Sequence, residues 1–255
     1  MIIRFGPAGL GPVKDAIENL RIYSKLGLKA CEIAFTYGVY IKNKEDVDAI
    51  RNAAKHFGIR LSIHAPYWIN LNSKEKIKIE QSKKRILDCC ETAEYLGAEI
   101  VVFHAGYYSD MDKEESYQNI KREILEILHE IKKNKWKVKI APETTGKNSV
   151  FGSIEDIARL AEETKCSFCI DFAHILAREK EINWERINES FGKYDKWHCH
   201  YSGIEYGDKG EKHHKITTKE DWKRVLDNIP KHKDITIINE SPSPVEDSVL
   251  GLRLV

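Results

Sequence analysis

The chain has 255 residues, of which 42% are hydrophobic, and its 41 Lys and Arg balance 40 Asp and Glu to give a formal net charge of +1. This length suits one globular domain, and no Pro-, Gly- or Ser-rich stretch offers a linker, so we expect a single domain over residues 1–255. The charge balance excludes the strongly basic composition of many nucleic-acid-binding proteins, although bound cations can receive a phosphate without a basic surface.

Short runs rich in Ile and Val alternate along the chain with longer amphipathic segments whose apolar residues recur three and four positions apart. The pattern predicts strands at 2–5, 30–35, 60–64, 99–104, 137–143, 167–171, 196–201 and 235–240. It predicts helices at about 13–26, 44–57, 75–96, 113–134, 153–164, 183–191 and 218–228. Because strict alternation implies parallel pairing, these eight repeats predict a single (β/α)8 TIM barrel.

Helix boundary signals support this assignment. Ser73 and Ser153 each precede an acidic segment, as helix N-caps do, and Gly58 and Gly97 lie where a C-terminal cap is expected. Only residues 241–255 follow the last predicted strand, and two of them are early prolines. The final helix of the barrel is therefore expected to be short or incomplete.

The chain lacks the signals of membrane insertion or export. Its apolar stretches are too short to span a bilayer, and its N-terminus has no charged segment followed by a long apolar one, so we expect a cytoplasmic protein. No obligate protein partner is evident. The six cysteines are expected to be reduced core residues. Cys166 and Cys169 have the spacing of half a zinc site, but an odd offset on a strand turns the two side chains to opposite faces.

The predicted strands share a feature at their C-terminal ends. Six of them end on a His, Asp or Glu, at His64, His104, Glu143, Asp171, His200 and Glu240. Barrel active sites lie at the C-terminal ends of the strands, so barrel closure would bring these side chains to one rim. Imidazole and carboxylate groups are the ligands of Zn, Mn and Fe, which makes this rim a candidate metal site.

Three further residues extend the set. His174 follows Asp171 by three positions, and Glu211 and His213 lie in a Gly- and Lys-rich loop after the seventh strand. Nine ligands would serve three metals with three protein ligands each. His198 remains an alternative to His200, and His214 an alternative to His213.

The motifs around these residues resemble those of the endonuclease IV family, apurinic/apyrimidinic endonucleases within the xylose-isomerase-like barrel group. The resemblance runs from about residue 60 to residue 241. It rests on His-Ala-Pro-Tyr at 64–67 with Ile-Asn-Leu at 69–71, Phe-His-Ala-Gly at 103–106, Glu-Thr-Thr-Gly at 143–146 and Cys-Ile-Asp-Phe-Ala-His at 169–174. It continues through His-Tyr-Ser-Gly at 200–203, Glu-Lys-His at 211–213 and Glu-Ser-Pro at 240–242.

The resemblance implies metal ligands position by position. One metal would be held by His64, His104 and Glu143, a second by Glu143, Asp171, His200 and Glu240, and a third by His174, Glu211 and His213. Glu143 would bridge the first two metals, and Glu143 and Glu240 are the expected catalytic carboxylates. The cofactor would be two or three Zn²⁺ ions, with Mn²⁺ as an alternative. Glu211 stands where the family has an aspartate.

The implied activity is hydrolysis of the DNA backbone 5′ to an abasic site, as in base excision repair. Two or three cations suit this reaction because they activate a water and neutralise the phosphate oxygens, so no protein nucleophile is needed. The partner would be duplex DNA carrying an abasic site. Tyr67 and Trp68 follow His64 where the family uses side chains to enter the DNA stack, so they are the expected substrate-binding residues. The competing interpretation is an aromatic pair packed over the rim.

A second function competes with the nuclease hypothesis. Sugar isomerases and epimerases on this barrel hold one metal with Glu, Asp, His and Glu, and Glu143, Asp171, His200 and Glu240 provide that set, with the two glutamates as proton carriers. His64, His104 and the pair formed by Glu211 and His213 are not required by a single-metal sugar enzyme. A third hypothesis is a barrel that binds metal or sugar phosphate without turnover.

Overall fold

The computed structural model describes residues 2–255 and contains eight parallel strands that form a barrel, so the predicted fold class is confirmed. The barrel strands are β1 (Ile2–Pro7), β2 (Ala30–Ala34), β3 (Arg60–His64), β4 (Ile100–Phe103), β5 (Lys139–Pro142), β6 (Cys169–Asp171), β7 (Lys196–Tyr201) and β10 (Asp234–Asn239). Each overlaps a predicted strand, and the observed boundaries differ by at most two residues at either end.

Nine α-helices are present in residues 2–255, at α1 (Ala16–Lys25), α2 (Lys44–Phe57), α3 (Lys76–Leu96), α4 (Lys113–Lys133), α5 (Ile154–Thr164), α6 (Phe172–Glu179), α7 (Trp184–Phe191), α8 (Lys219–Leu226) and α9 (Pro244–Leu252). The seven predicted helices are all found. Helix α6 was not predicted, because it follows β6 without a turn residue between them. None of the helices in residues 2–255 is long and apolar enough to cross a membrane.

The barrel is built from two four-stranded sheets, in the orders β1-β10-β7-β6 and β2-β3-β4-β5. Two short seams join them. The first is a parallel bridge between Ala8, which follows β1, and Glu32 in the middle of β2. The second is a parallel bridge between Glu143, which follows β5, and Cys169 at the start of β6. Backbone hydrogen bonds reinforce each seam near these bridges, so the eight strands close into one ring.

A β-hairpin stands where the sequence predicted a loop after the seventh strand. It consists of β8 (Gly203–Gly207) paired antiparallel with β9 (Gly210–Lys215), and it projects over the C-terminal rim. The alternation of apolar and polar residues that usually marks a strand is weak here, since β9 reads Gly-Glu-Lys-His-His-Lys.

The helix caps follow the sequence signals in part. Ser153 forms a full capping box with Asp156 at the start of α5, and Gly58 and Gly97 cap α2 and α3 in the left-handed conformation. The Ser73 prediction is wrong. Helix α3 begins after Glu75, and the Ser73 hydroxyl instead accepts a hydrogen bond from the backbone N–H of Glu75 across 3.1 Å.

The final helix is short, as predicted, but it does cover the barrel. Helix α9 packs against β1 and β10. The carboxylate of its buried Asp247 accepts a hydrogen bond from the Thr217 backbone N–H at 2.6 Å, and the Asp247 backbone carbonyl accepts one from the Trp222 indole at 2.8 Å. A Cβ added to Gly251 would lie 2.7 Å from the Trp222 ring. The absence of a side chain at Gly251 therefore lets α9 approach α8 closely.

We expect Gly251→Ala to destabilise the protein by about 1–2 kcal/mol, because the added methyl overpacks the contact with Trp222 and the small gain in helix propensity near a helix end offsets only part of that cost. Urea unfolding followed by circular dichroism measures the change in the free energy of unfolding. In a Trp222→Phe background the methyl has room, so the cost of Gly251→Ala should shrink. Equal costs in both backgrounds would show that this contact is not tight.

Candidate metal centre

Glu143 lies at the centre of the C-terminal rim, with four imidazoles around its buried carboxylate. Its Oε2 lies 3.2 Å from His64 Nε2 and 3.1 Å from His104 Nε2. Its Oε1 lies 3.1 Å from His200 Nδ1 and 3.4 Å from His174 Nδ1. Oε2 thus faces His64 and His104 while Oε1 faces His200, so the carboxylate could contribute to two neighbouring metal sites.

Asp171 and His174 are positioned by the direct junction of β6 and α6. Asp171 is the last residue of β6 and the N-cap of α6, and its Oδ1 accepts a hydrogen bond from the His174 backbone N–H across 2.8 Å. Its other oxygen, Oδ2, is buried and makes no hydrogen bond in residues 2–255, although His174 Nδ1 lies 3.2 Å from it. A buried carboxylate oxygen without a hydrogen bond is costly unless a positive charge compensates it, so this atom marks a position suited to a metal. His174 therefore lies on α6, a helix that the sequence did not predict.

The hairpin brings a third set of donors to the rim. Glu211 Oε2 lies 3.5 Å from His174 Nε2, and Glu211 Oε1 lies 3.8 Å from His214 Nε2. His214 Nδ1 is held by the Ser202 hydroxyl at 2.6 Å, which leaves Nε2 directed towards the rim. The structure places His214 in this group, whereas His213 is exposed on the hairpin away from it. In a regular strand Glu211 and His213 would share a face, because side chains alternate. The pairing of the hairpin shifts register between Glu205 and Tyr206, and beyond this irregularity it is His214 that lies on the side of Glu211.

Two glycines hold the hairpin against the loop that follows β5. A Cβ on Gly146 would lie 2.7 Å from the Cβ of Glu211, and a Cβ on Gly210 would lie 2.1 Å from the Gly146 carbonyl oxygen. The Glu211 backbone N–H donates to that same carbonyl across 3.0 Å. This close backbone approach fixes Glu211 beside His174, and any side chain at either glycine would displace it.

The predicted ligands therefore form three groups whose donor atoms lie within 4.8 Å of one another: His64 with His104 and Glu143; Glu143 with Asp171, His200 and Glu240; and His174 with Glu211 and His214. Glu240 follows β10, and its Oε1 lies 3.4 Å from His200 Nδ1. The mixture of imidazole and carboxylate donors, shared by one bridging glutamate, fits Zn²⁺ or Mn²⁺.

The histidines are oriented by partners behind them. His64 Nδ1 lies 2.8 Å from the Ala65 carbonyl oxygen, and His174 Nδ1 lies 3.0 Å from the Thr144 carbonyl oxygen. A ring nitrogen that donates to a carbonyl leaves the other nitrogen unprotonated, which is the form that binds a metal. In both residues the remaining nitrogen is Nε2, and it points into the rim.

Sequence reasoning missed Glu32, a fully buried glutamate in the middle of β2. Its Oε1 lies 2.9 Å from His200 Nε2, and its Oε2 lies 3.1 Å from His198 Nε2 and accepts a hydrogen bond from the Ser62 hydroxyl at 2.7 Å. His198 therefore lies one layer below the rim, and the structure places His200 itself in the second group. Cys169 Sγ also lies within 4.8 Å of donors on both histidines. The available signal for Glu32 was an acidic residue inside an otherwise apolar strand.

Electrostatics at the rim are dominated by the buried carboxylates. Burial by itself raises the pKa of Glu143, but the imidazoles of His200 and His104 outweigh burial and hold that pKa well below its usual range. Burial likewise lowers the pKa of His64, yet its contact with Glu143 reverses this and raises the pKa to about 9. For Asp171 burial dominates and raises the pKa. The carboxylates thus draw positive charge to themselves, and divalent cations would supply that charge with the imidazoles neutral.

A cavity of about 330 Å³ opens above these groups and is lined by His64, His104, His174, Glu211, His214 and Glu240, among others. Tyr67 is part of the cavity lining and Trp68 lies next to it outside the lining, with 60% and 59% of their surface exposed. Trp68 contacts the exposed Tyr37 at a ring-centroid distance of 5.8 Å. Both predicted substrate-binding aromatics are therefore largely exposed, and Tyr67 also lines the cavity.

Comparison with known proteins relates the chain to one family and to several enzymes. The model of the xylose isomerase-like TIM barrel family matches residues 20–253. An uncharacterized protein from Methanocaldococcus jannaschii is 36% identical over 272 residues, covering 99% of this chain and 97% of that protein. A probable endonuclease 4 from Mycobacterium marinum is 27% identical over 179 residues, covering 68% of this chain and 67% of that protein. The resemblance found in the sequence motifs is thereby confirmed.

Solved structures share the fold at low sequence identity. Endonuclease IV from Thermus thermophilus superposes with a TM-score of 0.74 at 22% identity, covering 98% of this chain and 97% of that chain. D-psicose 3-epimerase from Clostridium cellulolyticum superposes with a TM-score of 0.71 at 12% identity, with coverage of 98% and 97%. Both likenesses concern the fold alone, so the choice of chemistry depends on the residues of this chain.

The third donor group makes a prediction that separates two adjacent histidines. His214→Ala should lower the zinc content of protein purified without chelator by about one equivalent, because it removes a donor beside Glu211. His213→Ala is the matched control and should keep the full content. Metal analysis by mass spectrometry measures both, and a loss that follows His213 and spares His214 would contradict the assignment.

Proposed function

The chain belongs to the xylose isomerase-like TIM barrel family, and from that premise we propose that it is a metal-dependent hydrolase that cuts the DNA backbone 5′ to abasic sites. The observation that carries the proposal is the arrangement around Glu143. His64 and His104 meet one oxygen of this carboxylate while His200 meets the other, so donors for a second cation stand beside those of the first.

Those extra donors favour phosphodiester hydrolysis over sugar chemistry. A single-metal sugar enzyme needs only the second group, formed by Glu143, Asp171, His200 and Glu240. In this chain that group is flanked on one side by His64 and His104 and on the other by the hairpin donors. A one-metal site would not use His64 and His104, whereas a centre with several cations around a phosphate would use them as ligands.

Cations bound at these groups would supply a water activated near neutral pH and would neutralise phosphate oxygens. The chain's own residues do the remaining work. Glu143 keeps the first two groups at a fixed separation because both of its oxygens are buried and engaged. Glu240 lines the cavity and is partly exposed, so its carboxylate can orient a water and accept its proton. We propose these two glutamates as the catalytic carboxylates.

Substrate binding is proposed for the exposed aromatics. Tyr67 lines the cavity, and the centroid of its ring lies 5.9 Å from that of His64. Its side chain is therefore placed to contact a substrate that enters the cavity beside the metal donors. Aromatic side chains can stack on bases and can fill the gap that a missing base leaves in a duplex. Trp68, paired with Tyr37, extends the aromatic surface outwards.

A metal-dependent ketose isomerase or epimerase is the second proposal. It is supported by the compact second group, in which Glu143 and Glu240 both lie near His200 and could carry protons on either side of a sugar. This proposal gives no role to His64 and His104, which is why it ranks second.

The nuclease proposal predicts that metal-loaded protein cuts a duplex oligonucleotide at a single abasic site and leaves an undamaged duplex intact. His104→Ala should lower the cleavage rate at least ~100-fold, because it removes one of the imidazoles beside Glu143 that would hold a catalytic cation, while the circular dichroism spectrum stays unchanged. His129→Ala, a change at an exposed histidine of α4, is the control and should retain the wild-type rate. Full activity in His104→Ala would remove the first donor group from the mechanism.

The same preparation discriminates the second proposal. Incubation with ketoses, followed by chromatography of the sugars, should give no interconversion. An intact abasic strand together with turnover of a ketose would replace the nuclease by the sugar enzyme.

The exposed aromatics predict an effect on binding. Tyr67→Ala and Trp68→Ala should each raise KM for abasic duplex by roughly tenfold, in line with about 1–3 kcal/mol for one stacking contact, and should change kcat less. Tyr95→Ala, which removes an equally exposed aromatic from the end of α3, is the control. An unchanged KM in both rim variants would exclude these residues from the substrate contact.

A further inference from the structure

Glu32 belongs to none of the donor groups at the rim, yet it is the buried carboxylate nearest to them. It lies on β2 with no exposed surface, in a barrel interior that is mostly apolar. Burying a carboxylate costs several kcal/mol unless hydrogen bonds compensate it. We propose that Glu32 is a positioning residue that fixes the orientation and the protonated nitrogen of His200 for metal binding, an inference that rests on the metal-dependent function proposed above.

The two oxygens of Glu32 are engaged differently. Oε2 accepts a hydrogen bond from the Ser62 hydroxyl at 2.7 Å and meets His198 Nε2 at 3.1 Å. Oε1 lies 2.9 Å from His200 Nε2. Neither of these two buried atoms makes a hydrogen bond to any group in residues 2–255, so each is the nearest polar atom available to the other. Ser62 and His198 thus hold the carboxylate in place while one oxygen remains for His200.

The other nitrogen of His200 faces the rim. Nδ1 lies 3.1 Å from Glu143 and 3.4 Å from Glu240, which are donors of the second group. For Nδ1 to bind a metal it must be unprotonated, so the ring proton must reside on Nε2. A carboxylate oxygen 2.9 Å from Nε2 favours a proton on that nitrogen, so Glu32 would select the tautomer that can act as a ligand.

Glu32 also differs in charge from the partners of the other rim histidines. His64 Nδ1 is held by a backbone carbonyl and His214 Nδ1 by the Ser202 hydroxyl, and both of these partners are neutral. A carboxylate behind an imidazole increases the basicity of the ligating nitrogen, and removal of such a partner typically weakens metal binding about 10- to 100-fold. The effect should fall on the second donor group, which contains His200, and should leave the third group unchanged.

The test is a titration of metal-free protein with Zn²⁺ in competition with a chromophoric chelator, which returns a Kd for each equivalent. Glu32→Gln should weaken one equivalent by about 10- to 100-fold and leave the others within error. Glu123→Gln is the matched control, because it makes the same change at a buried glutamate that pairs with Lys83 on the outer helices. It should leave every Kd unchanged.

Coupling identifies which equivalent is affected. In a Glu240→Gln background, where the second group is already weakened, Glu32→Gln should have a smaller effect than in the wild type, whereas in a His214→Ala background it should keep its full effect. Ser62→Ala removes only the hydrogen bond to Glu32 Oε2, so it should weaken the same equivalent of Zn²⁺ by a smaller factor. This variant replaces Glu32→Gln in the test if Glu32→Gln does not fold.

Three outcomes would overturn the inference. One is an unchanged set of Kd values in Glu32→Gln alongside a lowered Tm of the metal-free protein, which would make Glu32 a structural residue only. Another is the loss of one whole equivalent of bound Zn²⁺ in Glu32→Gln, at a site that substitutions at His200 and Glu240 leave intact, which would make Glu32 a metal ligand itself. The last is a wild-type protein that binds no metal, which would also remove the proposed function. Because the readout is metal affinity, failure to cleave DNA leaves the inference standing.

Discussion

The rim is organised by one buried carboxylate that four histidines share. Glu143 sits at the seam between β5 and β6, where the two halves of the barrel meet, and each of its oxygens faces a different pair of imidazoles. A buried carboxylate tolerates no loss of its partners, since an uncompensated charge there costs several kcal/mol. The same residue therefore closes the ring, separates two donor groups and fixes where a substrate must lie.

Most of the barrel was predictable from the sequence because hydrophobic periodicity and strand length are local properties. Residues at strand ends, such as His64 and Asp171, could be assigned to one rim because parallel strands in a barrel all end on the same side. The choice between His213 and His214 could not be made, since it depends on the register of a hairpin whose sequence lacks clear alternation. Glu32 was missed for another reason. Its contacts are with residues on β3 and β7, far away in the sequence, and only barrel closure brings them together.

The two leading functions differ in what surrounds a shared set of donors. Glu143, Asp171, His200 and Glu240 suit either a one-metal sugar enzyme or part of a larger centre. The distinction lies in the neighbours of that set, on β3, β4 and the hairpin. Likeness of fold alone therefore leaves the chemistry open, and the donors around the shared set are what support one proposal over the other.

The hairpin is attached to the barrel rim through a backbone contact between Gly146 and Gly210, and Glu211 and His214 depend on that contact for their position. This attachment makes the hairpin, with its two donors Glu211 and His214, a separable module, whereas His174 belongs to α6. The eight strands and the first two groups are complete without the hairpin, because no barrel strand in residues 2–255 pairs with β8 or β9. A descendant of this chain could lose or exchange these two donors by altering one segment between β7 and α8, and so change its chemistry without rebuilding its core.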